Sequence, residues 1–145
     1  MVVWAHNAHI ANRFASLENM GGHLRKQLKT GYVSLGFLFS QGSFQARDSN
    51  RRNELNEITL GDPPESHASV AFARTGKPLL VLDLRALPAR GTVHDWFAAP
   101  HPVREEGAVF TSERNTTKSQ ILPERYDAVI FVDRTTRARP LPRSK

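Results

Sequence analysis

The sequence predicts an α/β fold, a partial and mostly parallel β-sheet with flanking helices. Three observations predict it. Val2-Val3-Trp4-Ala5 is an apolar, partly β-branched run of strand type, and it breaks at once into His6-Asn7-Ala8-His9. Met20, Leu24 and Leu28 recur at helical spacing and make one apolar stripe. Tyr32 to Phe39 then resumes a run rich in Val, Leu and Phe. Strand, helix and strand within about 40 residues form a βαβ unit, which implies parallel neighbours and a right-handed crossover.

Taken in order, residues 1–5 read as the first strand and residues 6–16 as a loop, with Asn12 and Arg13 near the strand end. Ser16 reads as the N-cap of a helix over 17–29, with Glu18 in its first turn. Arg25, Lys26 and Lys29 suit the dipole at its end, and Gly31 follows as the residue that stops it. Gly21 and Gly22 weaken this helix, which points to close approach of another backbone or of a ligand. After the second strand, Gln41-Gly42-Ser43 reads as a turn and Phe44 to Arg47 as a short edge segment. Residues 48–64 are mostly polar, end in Pro63-Pro64 and read as a loop. Glu65 to Arg74 reads as a helix with Val70, Ala71 and Ala73 inward, ended by Gly76. Leu79 to Leu84 reads as a buried strand. Residues 85–125 are irregular, with Trp96-Phe97 as a docked aromatic anchor and a short apolar run at Ala108 to Phe110. Tyr126 to Val132 is the last strand. The expected organisation is one domain over 1–133 and a basic, disordered Pro/Arg tail over 134–145.

Composition narrows the function. A chain of 145 residues is the size of one domain. It has no cysteine, so it has neither a disulfide frame nor a zinc ribbon. No basic segment precedes the short apolar start, as a signal peptide would require, and no apolar run reaches the ~20 residues of a membrane span. The expectation is a soluble, cytoplasmic protein. The net charge is +6, but the basic residues interleave with acids, as in Arg47-Asp48 and Arg104-Glu105-Glu106. No nucleic-acid motif is present, so neither nucleic acid nor membrane is an expected partner.

The chemistry concentrates at His6, Asn7 and His9. A buried strand whose carboxyl end opens onto polar side chains is how open α/β sheets present active sites. The H-x-x-H spacing lacks the Glu and the helical spacing of a zincin, so no metal and no cofactor are expected. His23 lies beside the helical stripe, either as packing or at a pocket edge. His67, His94 and His101 stand in polar or Pro-flanked contexts and are expected to be exposed. Glu18, Glu54, Glu57 and Glu65 read as solvated surface. Gly36 and Gly42 read as close-approach or turn positions. Ser34, Ser40 and Ser43 lack the G-x-S-x-G elbow, and there is no phosphate-binding loop.

Val2-Val3-Trp4-Ala5-His6-Asn7-Ala8-His9-Ile10, then Met20-Gly21-Gly22-His23-Leu24, then Tyr32-Val33-Ser34-Leu35-Gly36-Phe37 resemble, in this order, segments of the erythromycin esterase family. Tyr126-Asp127-Ala128-Val129-Ile130-Phe131-Val132-Asp133 is similar to that family's last strand. The resemblance implies the C-terminal part of an erythromycin esterase-like fold. It also implies metal-independent hydrolysis of a carboxylic ester or macrolactone, and so a link to macrolide response. It makes His6 an essential active-site residue and gives Asn7 and His9, with less specificity His23, substrate-binding or positioning roles. Imidazole exchanges protons near neutrality, and His6 could donate to the carbonyl oxygen or to the leaving alkoxide.

The family's N-terminal Gly-Glu…His segment is absent here. The expected partners are therefore a small ester or lactone and a chain supplying the missing N-terminal half. The alternatives are a non-catalytic remnant and a small basic binding module. A sheet short of its strands leaves apolar faces and edges open, so the isolated chain is expected to self-associate.

Overall fold

The computed structural model describes residues 1–13, 18–52 and 54–139. The elements run α1 (Asn7–Ile10), α2 (Met20–Leu28), β1 (Leu35–Asp48), β2 (Glu54–Leu60), α3 (Ala68–Ala73) and β3 (Leu79–Asp83). They continue α4 (Thr92–Ala98), β4 (His101–Arg104), β5 (Val109–Phe110), α5 (Glu113–Thr116), β6 (Thr117–Gln120), α6 (Leu122–Arg125) and β7 (Ala128–Thr135). The α/β class is as expected. The main sheet has the order β2-β1-β7-β3, with β5 added to the end of β1, and β4 and β6 pair separately. It is mixed rather than mostly parallel. The β1–β7 pair at its centre is parallel, and β2 and β3 flank it antiparallel.

Alternation gives the sheet two different faces. Leu38, Val129 and Phe131 point to one side and are buried. Phe72 of α3 and Trp96 and Phe97 of α4 cover that side. The ring of Phe72 lies 5.6 Å from Phe131, 6.1 Å from Trp96 and 6.4 Å from Phe97. Trp96-Phe97 is thus the aromatic anchor that the sequence announces. On the opposite side, Leu35, Phe37, Leu79 and Val81 are 43%, 42%, 62% and 67% exposed. The register places Phe37 and Val81 on either side of Ile130, so these residues form one continuous apolar face. It borders a groove of about 510 Å³ lined by Val2, Val3, Leu24, Leu28 and Val33 among others.

Several expected elements differ. Residues 1–5 form no strand, because no strand among the described residues offers them hydrogen bonds. Val2 and Trp4 are 93% and 84% exposed. The predicted βαβ unit goes with that strand. Ser16 and Leu17 lie outside the described residues, and the cap of α2 is Asn19, whose side chain accepts from the Gly22 N–H. The left-handed residue that ends α2 is Lys29, not Gly31. The stripe of Met20, Leu24 and Leu28 is not buried; it lines the groove.

The predicted turn at Gln41-Gly42-Ser43 is continuous strand, because Gly42 pairs with Leu60 on one side and Thr135 on the other. The predicted loop 48–64 contains β2, whose Ile58 and Leu60 pack with Ala46. In α3 the inward residues are Ala68, Ser69 and Phe72, while Ala71 is exposed. β3 is an edge strand with alternating exposure, not a buried one. The stretch 85–125 holds three short helices and three short strands, each too brief to show a period. β7 runs to Thr135, so Arg134 and Thr135 belong to the sheet. Arg137 pairs with Glu57 at 2.9 Å. Pro140 to Lys145 lie outside the described residues.

Candidate active site around His6

The segment Trp4–Asn12 is tied to the sheet edge at Phe37 and to Tyr32 and Arg125 beyond it. β2 pairs only with residues 42–48 of β1, which leaves the edge at Phe37 open. The Asn7 side chain closes it in the manner of a neighbouring strand. Its Nδ2 donates to the Phe37 carbonyl at 2.6 Å, and its Oδ1 accepts from the Phe37 N–H at 3.0 Å. The Trp4 ring rests 5.5 Å from the Phe37 ring. The Tyr32 hydroxyl donates to the Ile10 carbonyl at 2.6 Å. The Asn12 N–H donates to the Arg125 carbonyl at 2.7 Å.

Gly21 explains how α2 meets this segment. A Cβ on Gly21 would stand 2.3 Å from the carbonyl oxygens of Ile10 and Ala11, so only glycine permits the approach. Asn19 adds two hydrogen bonds, from Nδ2 to the carbonyls of Ala8 (2.7 Å) and Ala11 (2.9 Å). Gly36 of β1 admits a close approach elsewhere in the core. Its missing Cβ leaves room for the Tyr126 ring, 2.7 Å from where that atom would be. Both glycines fulfil the close-approach expectation.

His6 is exposed and caps α1. Its Nδ1 accepts from the Ala8 N–H at 3.2 Å. Its Nε2 faces the Glu106 carbonyl, and a carbonyl only accepts, so Nε2 carries the proton. That fixes the neutral tautomer. The His9 ring is 6.4 Å from that of His6, edge-on, and exposed. His6, Asn7 and His9 are therefore together. His23 is not with them: it is exposed on α2 and pairs with Glu18 at 3.4 Å.

Glu106 was not singled out by the sequence. Its carboxyl oxygens are both buried, and neither has a hydrogen-bond partner among the described residues. Burial pushes the carboxyl up to about 7, with Thr116 and Arg104 drawing it back and Glu113 adding to the rise. The clue available in the sequence was its adjacency to Arg104 and Glu105, in a run that reads as surface charge. Arg104 is instead wholly buried, donating to the carbonyls of Ser40 and Gly61 and to Glu113. Glu105 is also mostly buried and paired with Arg125 at 2.9 Å. Beside them lies a cavity of about 640 Å³, with Arg13, Glu105, Lys118, Gln120 and Arg125 in its wall. His6 lines neither of the two cavities.

Of the other histidines expected to be exposed, His67 and His101 depart from expectation. His67 is buried, 5% exposed, because it precedes α3 at the core, and burial and Arg104 hold its pKa below the usual value. His101 is half-buried, stacked 3.9 Å from Trp96, with Nε2 2.7 Å from the Trp96 carbonyl. His94 is partly exposed beside Asp95. Glu18, Glu54, Glu57 and Glu65 are exposed, as expected of solvated surface. Among the described residues no group of three or more His, Cys, Asp or Glu could hold a metal ion. No helix among them is long and apolar enough to cross a membrane.

Comparison with known proteins agrees with this architecture. A solved Bacillus cereus protein superposes with a TM-score of 0.80 at 21% identity, covering 92% of this chain and 33% of its own. A solved succinoglycan biosynthesis protein gives 0.77 at 20% identity, covering 92% and 32%. At these identities the likeness is one of fold. This chain spans about one third of the length of both. None of the curated proteins compared with it matches. The family model for erythromycin esterase matches residues 1–135, and the chain accordingly belongs to the erythromycin esterase family.

Proposed function

We propose that this chain is the His6-bearing part of an erythromycin esterase-like hydrolase that cleaves carboxylic esters or macrolactones in the cytoplasm and takes part in the response to macrolides. The observation that carries the reading is the family match over residues 1–135, which includes the His6-Asn7-Ala8-His9 segment. The geometry supports it. Asn7 and Asn19 hold the segment rigidly, as a working imidazole requires. His6 acts as donor to the carbonyl oxygen or the leaving alkoxide, and His9 and Asn7 position it. His23, remote from His6 and paired with Glu18, is left to the substrate-binding margin.

The proposed site draws on groups outside this sequence. The apolar face at Leu35, Phe37, Leu79 and Val81 is of the kind that a partner covers. This chain spans about a third of the length of its solved relatives, and the proposed reading takes the remaining active-site groups from the rest of that length. Incubating the purified chain with erythromycin and simple esters, alone and with an N-terminal fragment of a longer family member, tests this. Turnover that requires the fragment and is lost in His6→Ala supports the reading. Absence of turnover in both arms favours a non-catalytic remnant.

A further inference from the structure

Both ring nitrogens of His6 are occupied in this structure. Nδ1 accepts from Ala8, and Nε2 donates to the Glu106 carbonyl. An imidazole held this way offers a substrate neither a lone pair nor a proton, so one of the two bonds must open before it works. The Nε2 bond is the one made to another segment, the irregular stretch 105–108 between β4 and β5. That stretch is pinned on one side at Glu105, whose N–H donates to the Thr116 carbonyl and whose carboxylate accepts from Gln120 and Arg125, and on the other at the Ala108 carbonyl, which accepts from the Arg47 N–H. Between these two anchors, the Glu106 side chain is what is buried.

That burial depends on charge. Both oxygens are shielded from solvent without a hydrogen bond, an arrangement a neutral carboxyl tolerates and a carboxylate does not. The groups facing it compensate a carboxylate only in part: Thr116 and Arg104 favour the charged form, and burial outweighs both. Arg104 on β4 gives its terminal nitrogens to Ser40, Gly61 and Glu113, and its Nε is buried without a partner among the described residues. Thr116 of α5 gives its hydroxyl proton to the Glu113 carbonyl at 2.6 Å. Glu113 of α5 repels it. His67 is influenced by Arg104 and Glu113 as well.

We propose that Glu106 is a positioning residue for His6 and acts as a latch. While its carboxyl is neutral and buried, the Glu106 carbonyl keeps Nε2. When the carboxyl gives its proton to water, the carboxylate leaves for solvent, the carbonyl moves with it, and Nε2 is freed. The inference rests on His6 being the working imidazole of the proposed hydrolase, and it goes beyond that reading by assigning its control. The direction follows from linkage. The buried form binds the proton more tightly than the open form, so acid closes the latch and rising pH opens it up to the titration of the buried carboxyl.

The test is chemical labelling of the full chain with diethyl pyrocarbonate, read by mass spectrometry at His6 and His9. His9 is exposed on the same segment and serves as the internal reference for labelling. The ratio is expected to rise several-fold between about pH 6 and about pH 8, with a ceiling of about tenfold per pH unit. In Glu106→Gln, which stays neutral and keeps its volume, it stays low and flat. A flat ratio in the unmodified chain, or an undiminished rise in Glu106→Gln, overturns the latch. Should that variant fail to fold, amide exchange over residues 105–108 of the unmodified chain, corrected for intrinsic rates, must accelerate over the same range, and failure to do so overturns it equally. Labelling needs no substrate. A rising ratio without ester turnover even when the N-terminal fragment is added would therefore sink the hydrolase and keep the latch, and turnover with a flat ratio the reverse.

Discussion

Replacing Asn7 by Ala removes the side chain that bridges the open edge of β1 at Phe37. Two hydrogen bonds go, at 2.6 and 3.0 Å. A neutral hydrogen bond contributes about 0.5–1.5 kcal/mol net. Both bonds are solvent-exposed, so water replaces part of what is lost. The expected cost is at the lower end of the summed range, about 1–2 kcal/mol. Global denaturation in urea measures that cost, but amide exchange at Phe37 is the sharper assay. In the parent chain the Phe37 N–H is bound by Asn7 Oδ1, and in Asn7→Ala it faces water. Its exchange should accelerate by about tenfold or more, while Leu38, in the core, stays protected. Asn7→Asp separates the two bonds, since the carboxylate still accepts from the Phe37 N–H but repels the Phe37 carbonyl. It should keep the protection and lose stability. Unchanged exchange at Phe37 in Asn7→Ala would show that this segment does not lie along β1, and the placement of His6 would fall with it.

Gly21→Ala should push α2 away from the His6 segment and cost about 1–3 kcal/mol in urea denaturation; a silent substitution contradicts the 2.3 Å approach. Phe131→Ala, at a fully buried position in contact with Phe72, should cost about 3–5 kcal/mol by the same measurement. His67 has a lowered pKa, so the folded chain binds its proton less readily than the unfolded one. Its share of stability is present above the ordinary value of 6.5 and is lost as pH falls below it. His67→Gln should therefore soften the acid limb of a thermal-melt series, and an unaltered limb counts against it. Sedimentation of the isolated chain should show self-association through the open apolar face, reduced in Phe37→Lys and Val81→Lys. A monomeric parent chain with a sharp two-state melt contradicts that expectation.

The sequence by itself determined the α/β class, the aromatic anchor at Trp96-Phe97, the last strand near 128–132, the close approach at Gly21 and Gly36, and the cluster of His6, Asn7 and His9. Each is a local signal, a run of apolar residues, a missing side chain or a short polar string, and each keeps its meaning wherever the chain goes. Tertiary structure alone decided whether such a run becomes a strand. Val2 to Ala5 has strand composition and no partner, whereas residues 54–60 look polar and pair with β1 along their whole length. Backbone hydrogen bonding is a property of two segments, and neither segment carries it alone. The same holds for charge. Arg104-Glu105-Glu106 reads as solvated surface, yet folding buries Arg104, pairs Glu105 with Arg125 and leaves the Glu106 carboxyl without a hydrogen bond beneath His6's contact. A carboxyl's proton affinity is set by what surrounds it, and those surroundings come from β4 and α5 at once.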